Sequence, residues 1–366
     1  MSDRFERQRL VPEFGVEGQE KLRNSSVLVV GAGGLGSPIL LYLAAMGVGK
    51  IGIVDGDQVA ISNLNRQVLY GVNDVGKNKA EVTANFLRSQ YPDCSISETV
   101  TFITSENVVD LIQHYDLVID GSDNFPTRYL INDACVLLNK PLVFGAIFQH
   151  EGQVSVFNLG EDSCNYRDIF PNPPQADEVP NCSETGVIGV LPGIIGNLMA
   201  MEAVKVLTGF GSPLKNRVLF YQAKTASFYE VQIRPNLKVK QMIPKSLEEL
   251  SRTDYELVCG GLPEVSWNDI PSQISSEAVL VDLREPEELP KLDQWNPVLI
   301  PFSKLEENCD LINEKNLIYF FCQSGVRSLK AVRLWQKDFP QKSVFSIRGG
   351  IQAITKIDEH GKTTNS

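Results

Sequence analysis

Apolar and polar positions change period in blocks along the chain. Ser25–Val30 (SSVLVV) is a short apolar run that leads straight into GAGGLG. A helical pattern follows over Ser37–Gly47, and Lys50–Asp55 (KIGIVD) predicts the next strand. Gly76–Gln90 has helical spacing, with Pro92 beyond it as a stop signal. Asp116–Asp120 (DLVID) predicts a buried strand, Asn124–Asn139 a helix, and PLVFGAIF and QVSVF two more strands. An apolar helix is predicted over Val187–Thr208, then strands at Arg217–Gln222 and Ser227–Ile233. Repeated strand–helix units predict an α/β fold with a mostly parallel sheet covered by helices on both faces.

Two stretches break this pattern. Glu161–Pro180 is polar and holds Pro171, Pro173, Pro174 and Pro180, which predicts a long loop, commonly a functional feature. Residues 238–261 are charged, lack an apolar period and read as a linker. A smaller α/β pattern follows, with AVLVDLRE, VLIPF, NLIYFFCQSG and SVFSIRGG as strand candidates. The expected domains are 1–237 and 262–358.

Composition narrows the function classes. At 366 residues, 43% hydrophobic and 22% charged, the chain has room for two or three ordinary globular domains. A net charge of -11 argues against nucleic acid or an anionic membrane as partner. The longest apolar stretch contains Pro192, Glu202 and Lys205, so a buried helix is expected rather than a membrane span. MSDRFERQRL has no apolar core, so no secretory signal is expected. Seven scattered cysteines read as reduced thiols, which points to the cytoplasm.

GAGGLG (Gly31–Gly36) sits between a strand and a helix. Gly31 permits the tight turn, Gly33 lets backbone approach a phosphate, and Gly36 allows close helix–strand packing. The N–H groups at the helix start face an anion. Asp55 ends the next strand, at the spacing where a carboxylate binds ribose hydroxyls. This is a Rossmann-like nucleotide unit, and by itself it leaves NAD, FAD and ATP open. Further residues tip the balance: Asn63, Asn65 and Arg66 in SNLNRQVLY, Lys79 in VGKNKAE, Asp123 in DGSDN and Arg7 in RFERQ. A triphosphate undergoing substitution needs this extra positive charge, and a carboxylate to hold Mg²⁺. Taken singly, Arg7 and Lys79 read as surface charges and Asp123 as a helix N-cap.

RFERQ, GAGGLGS, VDGDQVAISNLNRQ, VGKNKAE, DGSDN, EGQVSVF and PNCSETGVIGVLPGIIG occur in this order, and residues 1 to about 235 resemble the MoeB/ThiF/HesA family, relatives of ubiquitin-activating enzymes. The resemblance implies ATP-dependent adenylylation of the C-terminal glycine carboxylate of a ubiquitin-like sulfur-carrier protein ending in Gly-Gly. It implies that Gly31, Gly33, Gly34 and Gly36 cradle the nucleotide and that Asp55 binds ribose. Arg66 and Lys79 would neutralise phosphates, Asp123 would position Mg²⁺, and Asp57, Asn63 and Gln67 would support the site. Arg7 resembles an arginine finger that reaches the other subunit of a homodimer. Cys182 resembles a loop cysteine that is covalent in some members and dispensable in others. Many members also bind zinc through two CxxC pairs. Here Asn165, Asp168, Leu237 and Lys240 stand at those positions, with Cys164 one place off and Cys259 in an unrelated string, so no zinc is expected.

CQSGVRS (Cys322–Ser328) follows an apolar strand and precedes a helix. A thiol there lies beside loop N–H groups and a helix N-terminus, which stabilise a thiolate or an anionic persulfide. Together with VDLREPEE and IRGGIQAI, the string resembles the rhodaneses, with Cys322 as sulfur carrier and Arg327 as its orienter. The implied donor is a protein such as a cysteine desulfurase. Gln323 stands where many rhodaneses have Arg. Molybdopterin synthesis, thiamine synthesis and tRNA thiolation all fit this pairing of domains. Two rival readings are an NAD-binding redox protein and a non-catalytic scaffold for ubiquitin-like folds. His114, His150 and His360 show no ligand spacing, and Cys94, Cys135 and Cys309 read as thiols without a role.

Overall fold

The apolar run after Ser25 forms β1 (Ser26–Val30) at the heart of a sheet. The computed structural model describes residues 4–173, 186–255 and 262–354, apart from 272–273, 276, 293–294, 306, 309–311, 340 and the side chains of 268 and 337. Around β1 stand β2 (Lys50–Val54), β3 (Ser95–Thr99), β4 (Leu117–Asp120), β5 (Leu142–Phe148), β6 (Glu151–Phe157), β7 (Arg217–Gln222) and β8 (Ser227–Gln232). Their order is β3-β2-β1-β4-β5-β6-β7-β8. The five strands from β3 to β5 are parallel, and β6 to β8 continue the sheet antiparallel. The change of direction has a local cause. Only Gln149 and His150 join β5 to β6, too few residues for a parallel crossover.

The parallel strands β1, β2 and β4 are almost wholly buried because helices cover both faces. Leu40, Leu43, Ile51, Ile119, Val143 and Met199 belong to one core. The helix Leu191–Thr208 packs against the helix Gly36–Met46 and against β5 and β6. A Cβ at Gly196 would lie 2.6 Å from the Leu35 carbonyl, so the two helices approach this closely only because glycine stands there.

A second unit, composed of described residues from 262 onward, has its own sheet. Its strands are β9 (Glu264–Val265), β10 (Ala278–Asp282), β11 (Val298–Leu299), β12 (Leu317–Phe321) and β13 (Ser343–Ile347), in the order β11-β10-β12-β13-β9 and all parallel. Neighbouring residues of one strand feed opposite faces, as pleating requires. Val281 and Phe320 join Trp335 on one side, while Leu280 and Phe321 join Trp267 on the other.

Several expectations need correction. The apolar helix begins at Leu191, not Val187. Val187 instead makes a parallel bridge to Gln149, and Pro192 occupies the first helical turn, where a missing N–H costs nothing. β3 and β9 carry no apolar signal, since β3 buries only Ile96 and β9 has two residues. Residues 238–255, read as linker, are folded into the first unit, where Val239, Leu250 and Tyr255 are buried. Likewise the start of the Glu161–Pro180 loop is core: Cys164, Asn165, Tyr166 and Arg167 are buried, and Arg167 pairs with buried Asp133 at 2.7 Å.

Candidate functional site

The glycine loop opens onto a cavity of about 540 Å³ at the C-terminal ends of the parallel strands. Gly31 has φ +93°, and a Cβ there would lie 2.8 Å from the Gly121 carbonyl. A Cβ at Gly36 would lie 2.0 Å from the Gly31 carbonyl, so Gly36 closes the turn from beneath and does not line the cavity. Gly33 and Gly34 do line it. Tyr70 braces the loop from behind, donating its buried hydroxyl to the Ala32 carbonyl at 2.7 Å.

Asp55 faces the loop from the end of β2. Its Oδ2 accepts from the Ala32 N–H at 2.7 Å, and its Oδ1 accepts from the Asp57 N–H at 2.8 Å. Each oxygen keeps a lone pair for a ribose hydroxyl. Burial raises its pKa above the ordinary carboxylate value, and the two N–H donors oppose that rise. Lys79, the first residue of the helix Lys79–Gln90, is buried and donates to Asp57 Oδ2 at 2.8 Å. Arg66 is anchored by bonds from Nη1 to the Ser62 carbonyl at 2.9 Å and to Asn65 Oδ1 at 3.1 Å. Gln67 is buried with its Oε1 lacking a hydrogen-bond partner among the described residues. Asp123 is exposed to the cavity. The helix N-cap is Asn124, which accepts from the Thr127 N–H at 2.9 Å, so the Asp123 carboxylate is not used as a cap.

Gly31, Gly33, Gly34, Asp55, Asp57, Arg66, Gln67, Lys79 and Asp123 thus line one cavity, although the chain separates them by as much as 92 positions. Asn63 is not a lining residue. It shapes the turn instead, accepting from the Ala60 N–H at 3.0 Å. Arg7, on the short helix Glu6–Arg9, is exposed and lies outside the cavity of its own chain. Cys182 lies outside the described residues. Sequence reasoning gave no role to Tyr70 and Ser122, although they lie within SNLNRQVLY and DGSDN, nor to Arg128, which lies just beyond DGSDN.

The positions that correspond to a zinc site do not suit the metal. Asp168 Oδ2 accepts from both the Asn165 N–H and Asn165 Nδ2, each at 2.8 Å, and Asp168 Oδ1 accepts from the Asn236 N–H at 2.7 Å. Both oxygens are therefore engaged by N–H donors. Leu237 and Lys240 are exposed and offer no ligand of the kind zinc takes. A carboxylate staple joins the two segments here.

In the second unit Cys322 is buried at the end of β12, and the Gly325 N–H donates to its Sγ at 3.2 Å. The loop rests on the segment after β13. The Ile351 N–H donates to the Cys322 carbonyl at 2.8 Å, and a Cβ at Gly350 would lie 2.3 Å from that carbonyl. Arg327 makes a two-pronged pair with Glu288, 2.6 Å on each prong, which holds the Glu288 carboxyl down to about 2.

Fold and cavity define a nucleotide-binding α/β protein with a phosphate-type cluster of Lys and Arg. Residues 5–241 match the ThiF family, and the chain belongs to it. It is 50% identical over 262 residues to a sulfur carrier protein adenylyltransferase of Thermus thermophilus, spanning 70% of this chain and 96% of that protein. It is 38% identical over 372 residues to the probable adenylyltransferase/sulfurtransferase MoeZ of Mycobacterium tuberculosis, spanning 96% of this chain and 92% of that one. The fold is also that of E. coli MccB, crystallised with ATP: TM-score 0.57 at 22% identity, over 64% of this chain and 73% of that chain.

Proposed function

We propose that this chain adenylylates the C-terminal glycine carboxylate of a ubiquitin-like sulfur-carrier protein with ATP, and that its second unit supplies sulfur from Cys322. The observation that carries the reading is the gathering of Asp55, Lys79, Arg66 and Asp123 around the glycine loop in one cavity. The names of the Thermus and Mycobacterium relatives support it.

The nucleophile is a carboxylate, ionised at neutral pH, so no general base is needed. One of its oxygens attacks the α-phosphorus of ATP, the bond from that phosphorus to the bridging oxygen of pyrophosphate breaks, and an acyl-adenylate forms. The obstacle is the approach of two anions and the charge on the leaving pyrophosphate. Lys79 and Arg66 act there as fixed cations, and the glycine loop offers N–H groups. Asp55 holds the ribose. Asp123 presents a carboxylate to the cavity and is suited to hold Mg²⁺, which usually binds through one or two carboxylates plus substrate phosphates. Bound there, Mg²⁺ would neutralise phosphate charge.

Arg7 serves the cavity of a second copy in this reading. Leu10 and Val11 follow it closely and are exposed, which suits burial against a partner. Cys182 either takes the activated acyl group or is dispensable. The sulfur donor to Cys322 is a protein persulfide of the cysteine-desulfurase type, in the cytoplasm, and the pathway is molybdopterin synthesis, thiamine synthesis or tRNA thiolation.

The test is ATP–pyrophosphate exchange with a panel of small carriers ending in Gly-Gly. Exchange with one carrier, lost in Asp123→Ala, is the expected result. Carrier binding without exchange would favour a scaffold, and NAD binding without exchange a redox protein.

A further inference from the structure

We infer that Arg128 is a positioning residue for Asp123, acting through the peptide that joins Ser122 to Asp123; the inference rests on the adenylylation reading only for its kinetic part. β4 ends at Asp120, and the helix Phe125–Leu137 begins four residues after Gly121. The short loop between them carries Asp123. The Ser122 N–H donates to Asp120 Oδ1 at 2.9 Å. The Ser122 carbonyl accepts from Arg128 Nη2 at 3.2 Å. Ser122 is therefore gripped at both ends, and the second grip falls on the peptide unit that leads into Asp123.

The clamp is buried although it borders the cavity. Asp120 is 1% exposed, Arg128 8% and Ser122 9%. Arg128 comes one turn into the helix, and its guanidinium lies 5.5 Å from the Phe125 ring centre and 5.8 Å from that of Phe144. It also offsets part of the burial that raises the Asp120 pKa. Arg128 Nε and Ser122 Oγ are buried without a hydrogen-bond partner among the described residues. A buried guanidinium with an unused donor is costly, and an apolar side chain would fill the space more cheaply. What Arg128 adds is its bond to Ser122 and its charge near Asp120, both of which hold this short loop.

Asp123 depends on that bond. Its carboxylate makes no hydrogen bond with the described residues, so its place in the cavity is set by its backbone alone. A displacement of about 1 Å at a reacting centre can cost on the order of 10²-fold in rate.

The experiment uses the full chain and the variants Arg128→Met and Arg128→Lys, with three readouts: thermal unfolding, hydrogen exchange of the peptide 117–127, and ATP–pyrophosphate exchange against ATP and MgCl₂. Arg128→Met is expected to unfold cooperatively near the wild-type temperature, to lose amide protection over 121–124, and to lower kcat by about 10²-fold with KM for ATP little changed and a higher Mg²⁺ requirement. Arg128→Lys should recover part of kcat, because one ammonium donor can still reach the Ser122 carbonyl. If Met fails to fold, the Lys variant carries the same comparison. Unchanged protection at 121–124 overturns the clamp, whatever the reaction. Lost protection with kcat within about twofold of wild type, or a change in KM alone, overturns the positioning role. A wild-type chain inactive with every carrier would refute the adenylylation reading instead, while amide exchange would still decide the clamp.

Discussion

Lys79 Nζ lies 2.8 Å from Asp57 Oδ2, the ammonium buried and the carboxylate exposed. In the proposed reaction the lysine would thus start with a partner already in place. A phosphate entering the cavity must compete with Asp57 for the ammonium, whose position is meanwhile kept. Asp57 both lines the cavity and holds Lys79.

Lys79→Ala should therefore remove a fixed cation from the transition state and lower the rate of ATP–pyrophosphate exchange by roughly 10²–10³-fold. Asp57→Asn should cost less, since an amide oxygen still accepts from the ammonium. Exchange kinetics of the two variants measure the order. Equal losses would contradict it.

Cys322→Ser should abolish sulfur transfer from the second unit and leave ATP–pyrophosphate exchange intact, because the thiol belongs to a separate sheet and core. Thiocarboxylate formation on the carrier, followed by mass spectrometry beside the exchange assay, separates the two activities. Loss of both would place Cys322 in the adenylylation step as well.

The Glu288–Arg327 pair should show itself in pH-dependent stability. Glu288 is held at about 2 in the folded chain against an ordinary value of 4.5. A depressed carboxylate stabilises the fold fully above about pH 4.5 and loses that contribution as pH falls toward 2. Urea unfolding of the full chain and of Glu288→Gln should therefore differ most in the second unit at pH 6, with the gap closing in acid. A gap that stayed constant into acid would refute the pairing.

The Asp168 staple makes a prediction about metal. Chelator treatment should leave the thermal transition where it is. Asp168→Ala should destabilise the first unit by about 1.5–3 kcal/mol, the usual worth of hydrogen bonds to a charged group. At about 2–4 °C per kcal/mol for a unit of this size, calorimetry resolves the shift. A transition that fell on chelation would mean that metal is held after all.

Local pattern made much of this protein legible. β1 and the loop after it follow from an apolar run meeting GAGGLG, and Asp55 and Cys322 follow from being the residues that end, or come just after, an apolar strand. These features depend on neighbours within a few positions, where periodicity and glycine sterics act. β3 was invisible because an edge strand need bury only one residue, and the fold of 238–255 was missed because its apolar residues are widely spaced. Other features depend on contacts that no local rule encodes. Asp168 meets Asn236 across 68 positions, Lys79 meets Asp57 across 22, and Tyr255 donates to Asp133 across 122. The sequence by itself determined which residues carry charge, thiol and glycine, and most of the buried strands and the helices between them. Only the tertiary structure decided which charges meet, that Asp168 joins Asn165 to Asn236, and that Arg128 grips the peptide before Asp123. Those outcomes follow from how closely distant backbones approach, and that distance is set by the packing of the whole core.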